Sequence, residues 1–211
     1  MLTKKYLSQP TAIASYDYTD LITGKAYKTF YGINGIASYV LIPVAADTHA
    51  NDATTEVGIT TISSAITTYA KGVDVDFDMT VGIPQIIEGM AILNATVGSV
   101  GTNTKTIKLV GQILKNGVHL VSGSTTNMAQ AAANPSSVEC ALNMDIPKTS
   151  FKVGDVLRLT CEVWGSSGAS AFFGLAHDGR DRNDNKAATH KTIDDAHSTQ
   201  LKLFLPFNPD L

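Results

Sequence analysis

The chain has 211 residues, of which 44% are apolar and 17% charged, and its net charge is −3. That length suits one large all-β domain. The weak charge provides no field for nucleic acid or an anionic membrane, no apolar run reaches bilayer length, and two cysteines do not make a disulfide framework. A charged share below the usual ~25% fits a surface partly covered by partner subunits.

Residues 1–20 are polar and lack sustained periodicity. Their two lysines precede no apolar core, so they are not a secretory signal and read as an extended arm. Gly24–Tyr31 (GKAYKTFY) reads as a short strand closed by Gly32 and Gly35, with Tyr27 and Phe30 at its edges. Ser38–Val44 (SYVLIPV) is the next strand, and Pro43 places it at an edge or marks its end. Residues 45–55 are a loop by composition. Glu56–Ala70 is ambiguous: β-branched content favours a strand, while Ile59, Ile62 and Ile66 also fit a short helix.

In Lys71–Val81, Val73, Val75, Phe77, Met79 and Val81 alternate with Asp74, Asp76, Asp78 and Thr80. Period two predicts a half-buried strand with an acidic outer row. Pro84–Val97 is read as a strand with Ile87, Ala91, Leu93, Ala95 and Val97 on one face, although Pro84 could also start a helix. Thr104–Ser122 carries the strongest local signal. Asn116-Gly117 between alternating apolar runs predicts a two-residue type I′ hairpin, with Lys115 opposite Val118 and Ile113 opposite Leu120. Residues 123–135 form a long polar loop.

Ser137–Trp164 reads as two long strands around a connection punctuated by Pro147, Lys148 and Gly154-Asp155. Symmetry about Ser150–Phe151 predicts a hairpin in which Met144 faces Leu157, Leu142 faces Leu159, Cys140 faces Cys161 and Val138 faces Val163. Both cysteines are expected to be small buried hydrophobes. Ala169–His177 is a further strand, residues 178–198 a charged loop, and Gln200–Phe207 a closing strand with Leu201, Leu203 and Leu205 inward. Strands at this spacing imply an all-β, antiparallel, jelly-roll-like sandwich over residues 21–211, preceded by the arm.

Chemistry-bearing clusters are few. Asp74, Asp76 and Asp78 begin no EF-hand, whose sixth and twelfth positions would be Met79 and Gln85, and on a strand they stand about 7 Å apart. A solvated or subunit-facing row is the expected use. His177, Asp178, His190, Asp194, Asp195 and His197 lack the close ligand spacing of a structural zinc site. Arg180 and Arg182 alternate with Asp181 and Asp184, a self-neutralising pattern suited to contacts with a neighbour. There is no G-x-S-x-G elbow, no phosphate-binding glycine loop, and no histidine near either cysteine in sequence. Asn94-Ala95-Thr96 is a glycosylation sequon that matters only on secretion. No catalytic, cofactor-binding or metal-binding residue is assigned, and no enzyme is expected.

Several pieces together resemble tailed-phage virion structural proteins: the polar arm, the strand series, PKTSFKVGDVLRLTCEVWG, FFGLAHDGRDR and the terminal LKLFLPF. The likeness is to jelly-roll decoration, cement or fibre-base components. It implies a non-enzymatic protein of the virion, assembled in the host cytoplasm as a homo-oligomer. Such a protein would bind the capsid lattice or neighbouring virion proteins through the arm and the loops at 45–55, 123–136 and 178–198. A carbohydrate- or receptor-binding fibre module is the alternative, with Trp164, Tyr16, Tyr18, Tyr27, Tyr31 and Phe173 as its available aromatics. A cupin-type metal enzyme on the same frame is a weaker one.

Overall fold

A computed structural model describes residues 14–15, 26–34, 38–43, 59–63, 65–130, 136–177 and 201–207. The described residues form thirteen strands and no helix. In order these are β1 (Ala14–Ser15), β2 (Ala26–Asn34), β3 (Tyr39–Ile42), β4 (Ile59–Ile62), β5 (Ala70–Thr80), β6 (Gln85–Val100) and β7 (Lys105–Lys115). They continue with β8 (Val118–Ser124), β9 (Met128–Gln130), β10 (Ser136–Phe151), β11 (Val156–Ser167), β12 (Phe172–His177) and β13 (Leu201–Phe207). The two segments open to a helical reading, Glu56–Ala70 and Pro84–Val97, supply β4 and most of β6. The expected loop at 123–135 holds the end of β8 and all of β9. The arm lies outside the described residues apart from β1, which pairs with β2. The loop at 45–55 lies outside them altogether.

The fold is the all-β sandwich that alternation implies. In one layer β6 carries β10 along one edge, and β13 and β12 at different heights along the other. β13 then pairs with β2, and β12 with β4. In the other layer β11 lies between β5 and β7, and β7 carries β8 and β9. β3 pairs antiparallel with β2 and touches β5 through one parallel bridge, Val40 with Asp78, so hydrogen bonding runs continuously from layer to layer. Phe77, Leu93, Leu109, Ile113, Leu159, Phe173 and Leu203 are fully buried between the layers.

The hairpin expected over Ser137–Trp164 does not form. β10 pairs with β6, putting Cys140 beside Ala95. β11 pairs with β5 and β7, putting Cys161 between Val75 and Gly111. The connection crosses from one layer to the other. Alternation decides which face of a strand is apolar, and two such faces can be buried opposite each other across a sandwich as well as side by side. The two layers come close at Gly111 of β7, where a Cβ would lie 2.8 Å from Leu93 Cδ2 of β6 and 3.4 Å from Leu142 Cδ1 of β10. Pro147 sits within β10 at the irregularity between Ile146 and Thr149, a position where the missing N–H breaks no ladder bond.

The Asn116-Gly117 turn forms as expected, with positive φ at both residues (50° and 79°) and Lys115 opposite Val118. A shift between Ile113 and Leu114 then sets Ile113 opposite Val121 rather than Leu120. This turn is clasped to the β10–β11 connection. Asn116 Nδ2 donates to Asp155 Oδ1 at 2.8 Å, the Val156 N–H donates to Asn116 Oδ1 at 2.7 Å, and the Lys152 N–H donates to Asp155 Oδ2 at 2.8 Å. Lys115 Nζ lies 3.0 Å from Asp155 Oδ2. The Lys152 backbone bond, then Asn116 and Lys115, hold the Asp155 carboxyl down at about 2, against an ordinary 3.8. A depressed carboxyl contributes stability above its unfolded value and loses it as pH falls through the folded one. Between pH 3.8 and about 2 the wild type should therefore lose stability faster than Asp155→Asn. Urea midpoints across that range check this, and parallel curves would contradict it.

Candidate functional site

The outer face of β5 and β11 carries a network of charged side chains. Period-two alternation sends Val73, Val75 and Phe77 into the core and turns Asp74, Asp76 and Asp78 outward. β11 runs antiparallel beside them, with Arg158 opposite Asp78, Thr160 opposite Asp76 and Glu162 opposite Asp74. Arg158 grips two carboxylates. Its Nε and Nη2 donate to Asp78 Oδ1 and Oδ2 at 2.7 and 2.8 Å, and its Nη1 donates to Asp76 Oδ2 at 2.7 Å. Thr160 Oγ1 donates to the other oxygen of Asp76 at 2.5 Å. Hydrogen bonding to Asp78 pushes the guanidinium pKa further up, so Arg158 stays charged at every working pH.

At the other end, Lys71 Nζ bridges Asp74 Oδ2 at 2.6 Å and Glu162 Oε1 at 3.2 Å, and these partners raise its pKa. Trp164 Nε1 donates to Glu162 Oε2 at 2.8 Å. Its ring stacks on Tyr69, with centroids 6.0 Å apart and planes 25° apart. The Tyr69 hydroxyl donates to Asn127 Oδ1 at 3.2 Å. Two cations, Arg158 and Lys71, thus engage four carboxylates, Asp74, Asp76, Asp78 and Glu162, leaving the strand pair ion-paired but still net acidic, and among the described residues no group of three His, Cys, Asp or Glu is placed to hold a metal ion. Arg158→Met should cost about 1 kcal/mol, the low value reflecting a side chain partly in water. The loss should shrink in high salt and in the Asp76→Asn/Asp78→Asn background. Urea midpoints read both effects, and a salt-independent loss would show that packing rather than charge is involved.

The remaining candidates are dispersed. His177 is fully buried, edge-on to Tyr39 and Phe77 at 5.3 and 5.8 Å. Asp178, Arg180, Asp181, Arg182, Asp184, His190, Asp194, Asp195 and His197 lie outside the described residues, as do Tyr16 and Tyr18. Phe173 is fully buried, and Tyr27 sits on β2. Both cysteines are free thiols whose pKa burial raises, Cys140 to about 11 and Cys161 further. They stay protonated at neutral pH and make poor nucleophiles.

Tyr69, Lys71 and Asn127 escaped the sequence reading, and Glu162, expected only as a solvent-facing residue, pairs with Lys71 and Trp164. The outward row Arg158, Thr160, Glu162 set against Asp78, Asp76, Asp74 was its available signal. Lys105 escaped it too. This buried lysine donates to the Gly101 carbonyl at 2.7 Å, and desolvation lowers its pKa.

No protein-family model matches the chain, and neither does any curated protein. Solved structures do. The chain is similar to an aminopeptidase from a marine sediment archaeon (Thaumarchaeota archaeon), with TM-score 0.53 and 9% identity over 89% of this chain and 37% of that one. It is similar to an α-amino acid ester hydrolase, with TM-score 0.51 and 9% identity over 85% of this chain and 36% of that one. Likeness to the structure of infectious bursal disease virus, Gx strain, falls to TM-score 0.32 at 8% identity, over 87% of this chain and 36% of that one. The chain spans little more than a third of the length of either hydrolase.

At such identities the hydrolase likenesses establish the fold. They also correct the expectation of a non-enzymatic virion protein bound to a capsid lattice. That reading rested on jelly-roll style and on the lack of a reactive motif. The same frame belongs to proteins named as an aminopeptidase and an ester hydrolase. The style therefore does not mark a virion component, and the exclusion of an enzyme falls with it.

Proposed function

We propose that this chain is the β-sandwich part of a hydrolase acting on ester or amide bonds. Its β5–β11 face would serve as the surface on which the rest of the enzyme or its substrate rests. The observation that carries the reading is the match of 89% of this chain to a 37% portion of an aminopeptidase. A bounded sandwich inside a longer hydrolase is the simplest counterpart for a chain of this build. The chemistry fits that division of labour. Both described thiols are held protonated, and the carboxylates of the acidic row are each tied into an ion pair with Arg158 or Lys71. On this reading the nucleophile is neither thiol nor a carboxylate of that row, and the sandwich supplies a rigid support. Rigid placement of reacting groups is itself a large part of catalysis.

The test is purification of the chain from its native source, with everything covalently or tightly attached to it. The fractions are assayed on aminoacyl p-nitrophenyl esters and p-nitroanilides. Hydrolysis that co-elutes with the chain, and is lost when Arg158→Glu separates the sandwich from its neighbour, supports the reading. Recovery of the chain in sedimenting particles with no hydrolytic activity overturns it.

A further inference from the structure

The Asn116-Gly117 turn is exposed, chemically labile and wired into the fold at one atom. Asparagine followed by glycine can lose its side-chain amide. The Gly117 backbone nitrogen attacks Asn116 Cγ, the Cγ–Nδ2 bond breaks, and Nδ2 leaves as ammonia with the proton from the Gly117 N–H. Water then opens the five-membered imide at either carbonyl, leaving aspartate or isoaspartate. No oxidant or reductant takes part. A side chain at the second residue would crowd the attacking nitrogen. Here glycine provides none, and a Cβ at Gly117 would meet nothing within 4 Å. Both residues are solvent-exposed, so water is at hand.

The clasp opposes this reaction. Attack requires the Asn116 side chain to rotate until Cγ faces the Gly117 nitrogen, a near-attack geometry. Both ends of that amide are tied to the neighbouring connection, Nδ2 to Asp155 Oδ1 at 2.8 Å and Oδ1 to the Val156 N–H at 2.7 Å. The Asn116 N–H also donates to the Val156 carbonyl at 2.8 Å. We propose that Asn116-Gly117 is a self-modification site that Asp155 holds in check, and that its deamidation opens the joint between the β7–β8 and β10–β11 turns in one direction only. Conversion replaces the Nδ2 donor with a carboxylate oxygen facing the Asp155 carboxylate. An attractive contact becomes a repulsion between like charges. The switch costs no ligand and advances with the age of the molecule.

Peptide mapping of protein incubated at neutral pH and 37 °C, with folding verified by circular dichroism, tests the first half. Asp155→Ala should deamidate at Asn116 several-fold faster than wild type. Leu203→Ala, which loosens the core far from the turn, should not. Equal rates in Asp155→Ala and wild type overturn the proposal, and so does equal acceleration by Leu203→Ala, since general loosening would then suffice. The second half uses Asn116→Asp as a mimic of the product. It should melt below wild type, and adding Asp155→Asn should restore much of the loss, because the amide placed at 155 can donate to the carboxylate placed at 116 while still accepting from the Lys152 N–H. A double variant no more stable than Asn116→Asp alone overturns the proposed repulsion.

Discussion

Gly165→Ala is expected to lower the unfolding free energy by about 3 kcal/mol, the upper part of the range for overpacking a core. Gly165 lies on β11, between Ala70 of β5 and Ile107 of β7, with its open side turned to the other layer. A Cβ there would meet the ring of Phe173, Cδ1 at 2.5 Å and Cζ at 2.6 Å. Neither partner can give way easily. Phe173 is fully buried, and its strand β12 is pinned to β6 on one side and to β4 on the other. The glycine therefore sets how closely the layers approach at this end. Phe173→Leu should itself destabilise the protein, yet recover part of the loss in the Gly165→Ala background. That positive coupling is what a shared contact produces. Urea unfolding of the four proteins measures it. An unchanged midpoint for Gly165→Ala would place the layers further apart than the structure does.

What could be read from the sequence, and what could not, divides along one physical line. Local rules acted where local information is sufficient. Val73, Val75 and Phe77 alternate with three aspartates, so the inner and outer faces of β5 follow from the side-chain period alone. Asn116-Gly117 supplies the positive φ values that its turn needs, so that turn follows as well. Partner choice is a long-range property. The face assignments of Cys140 and Cys161 were correct, both inward, while their pairing with each other was not. Leu142 and Leu159 can be buried equally well as lateral neighbours or across the layer gap. The polar face was half legible: the acidic row was visible, and Lys71 stands three residues from Asp74, but Arg158, which grips Asp78, sits 80 residues away. Phe173 looked available as an exposed aromatic because most strands have one wet face, whereas β12 is buried on both faces over most of its length. Function was the least legible of all, because a sandwich frame is shared by proteins with unrelated activities.

Phe77→Ala should cost about 4 kcal/mol, the middle of the range for deleting a buried aromatic ring. Phe77 is fully buried at the place where the two layers join through hydrogen bonds. Its ring meets Tyr39 of β3 edge-on, with centroids 5.5 Å apart and planes 69° apart, and His177 of β12 at 5.8 Å and 72°. From β2, Gly32 leaves room for it, since a Cβ there would lie 3.0 Å from Phe77 Cδ1. Three strands besides its own, β2, β3 and β12, thus line the space that the ring fills. A cavity bounded by so many separately anchored strands collapses poorly, so most of the lost contact energy is not regained. Phe77→Leu keeps most of the volume but loses both edge-to-face contacts, and should cost about half as much. The damage should also be local. The parallel bridge from Val40 to Asp78 depends on β3 lying against β5, and Tyr39 beside Phe77 is the side chain that holds it there. Hydrogen exchange in Phe77→Ala should therefore accelerate in β3 and in β2 around Gly32 well before β6 and β10 lose protection. Uniform acceleration across all strands would mean that the β2–β3–β5 junction is not a separable hinge, and that the two layers open only together.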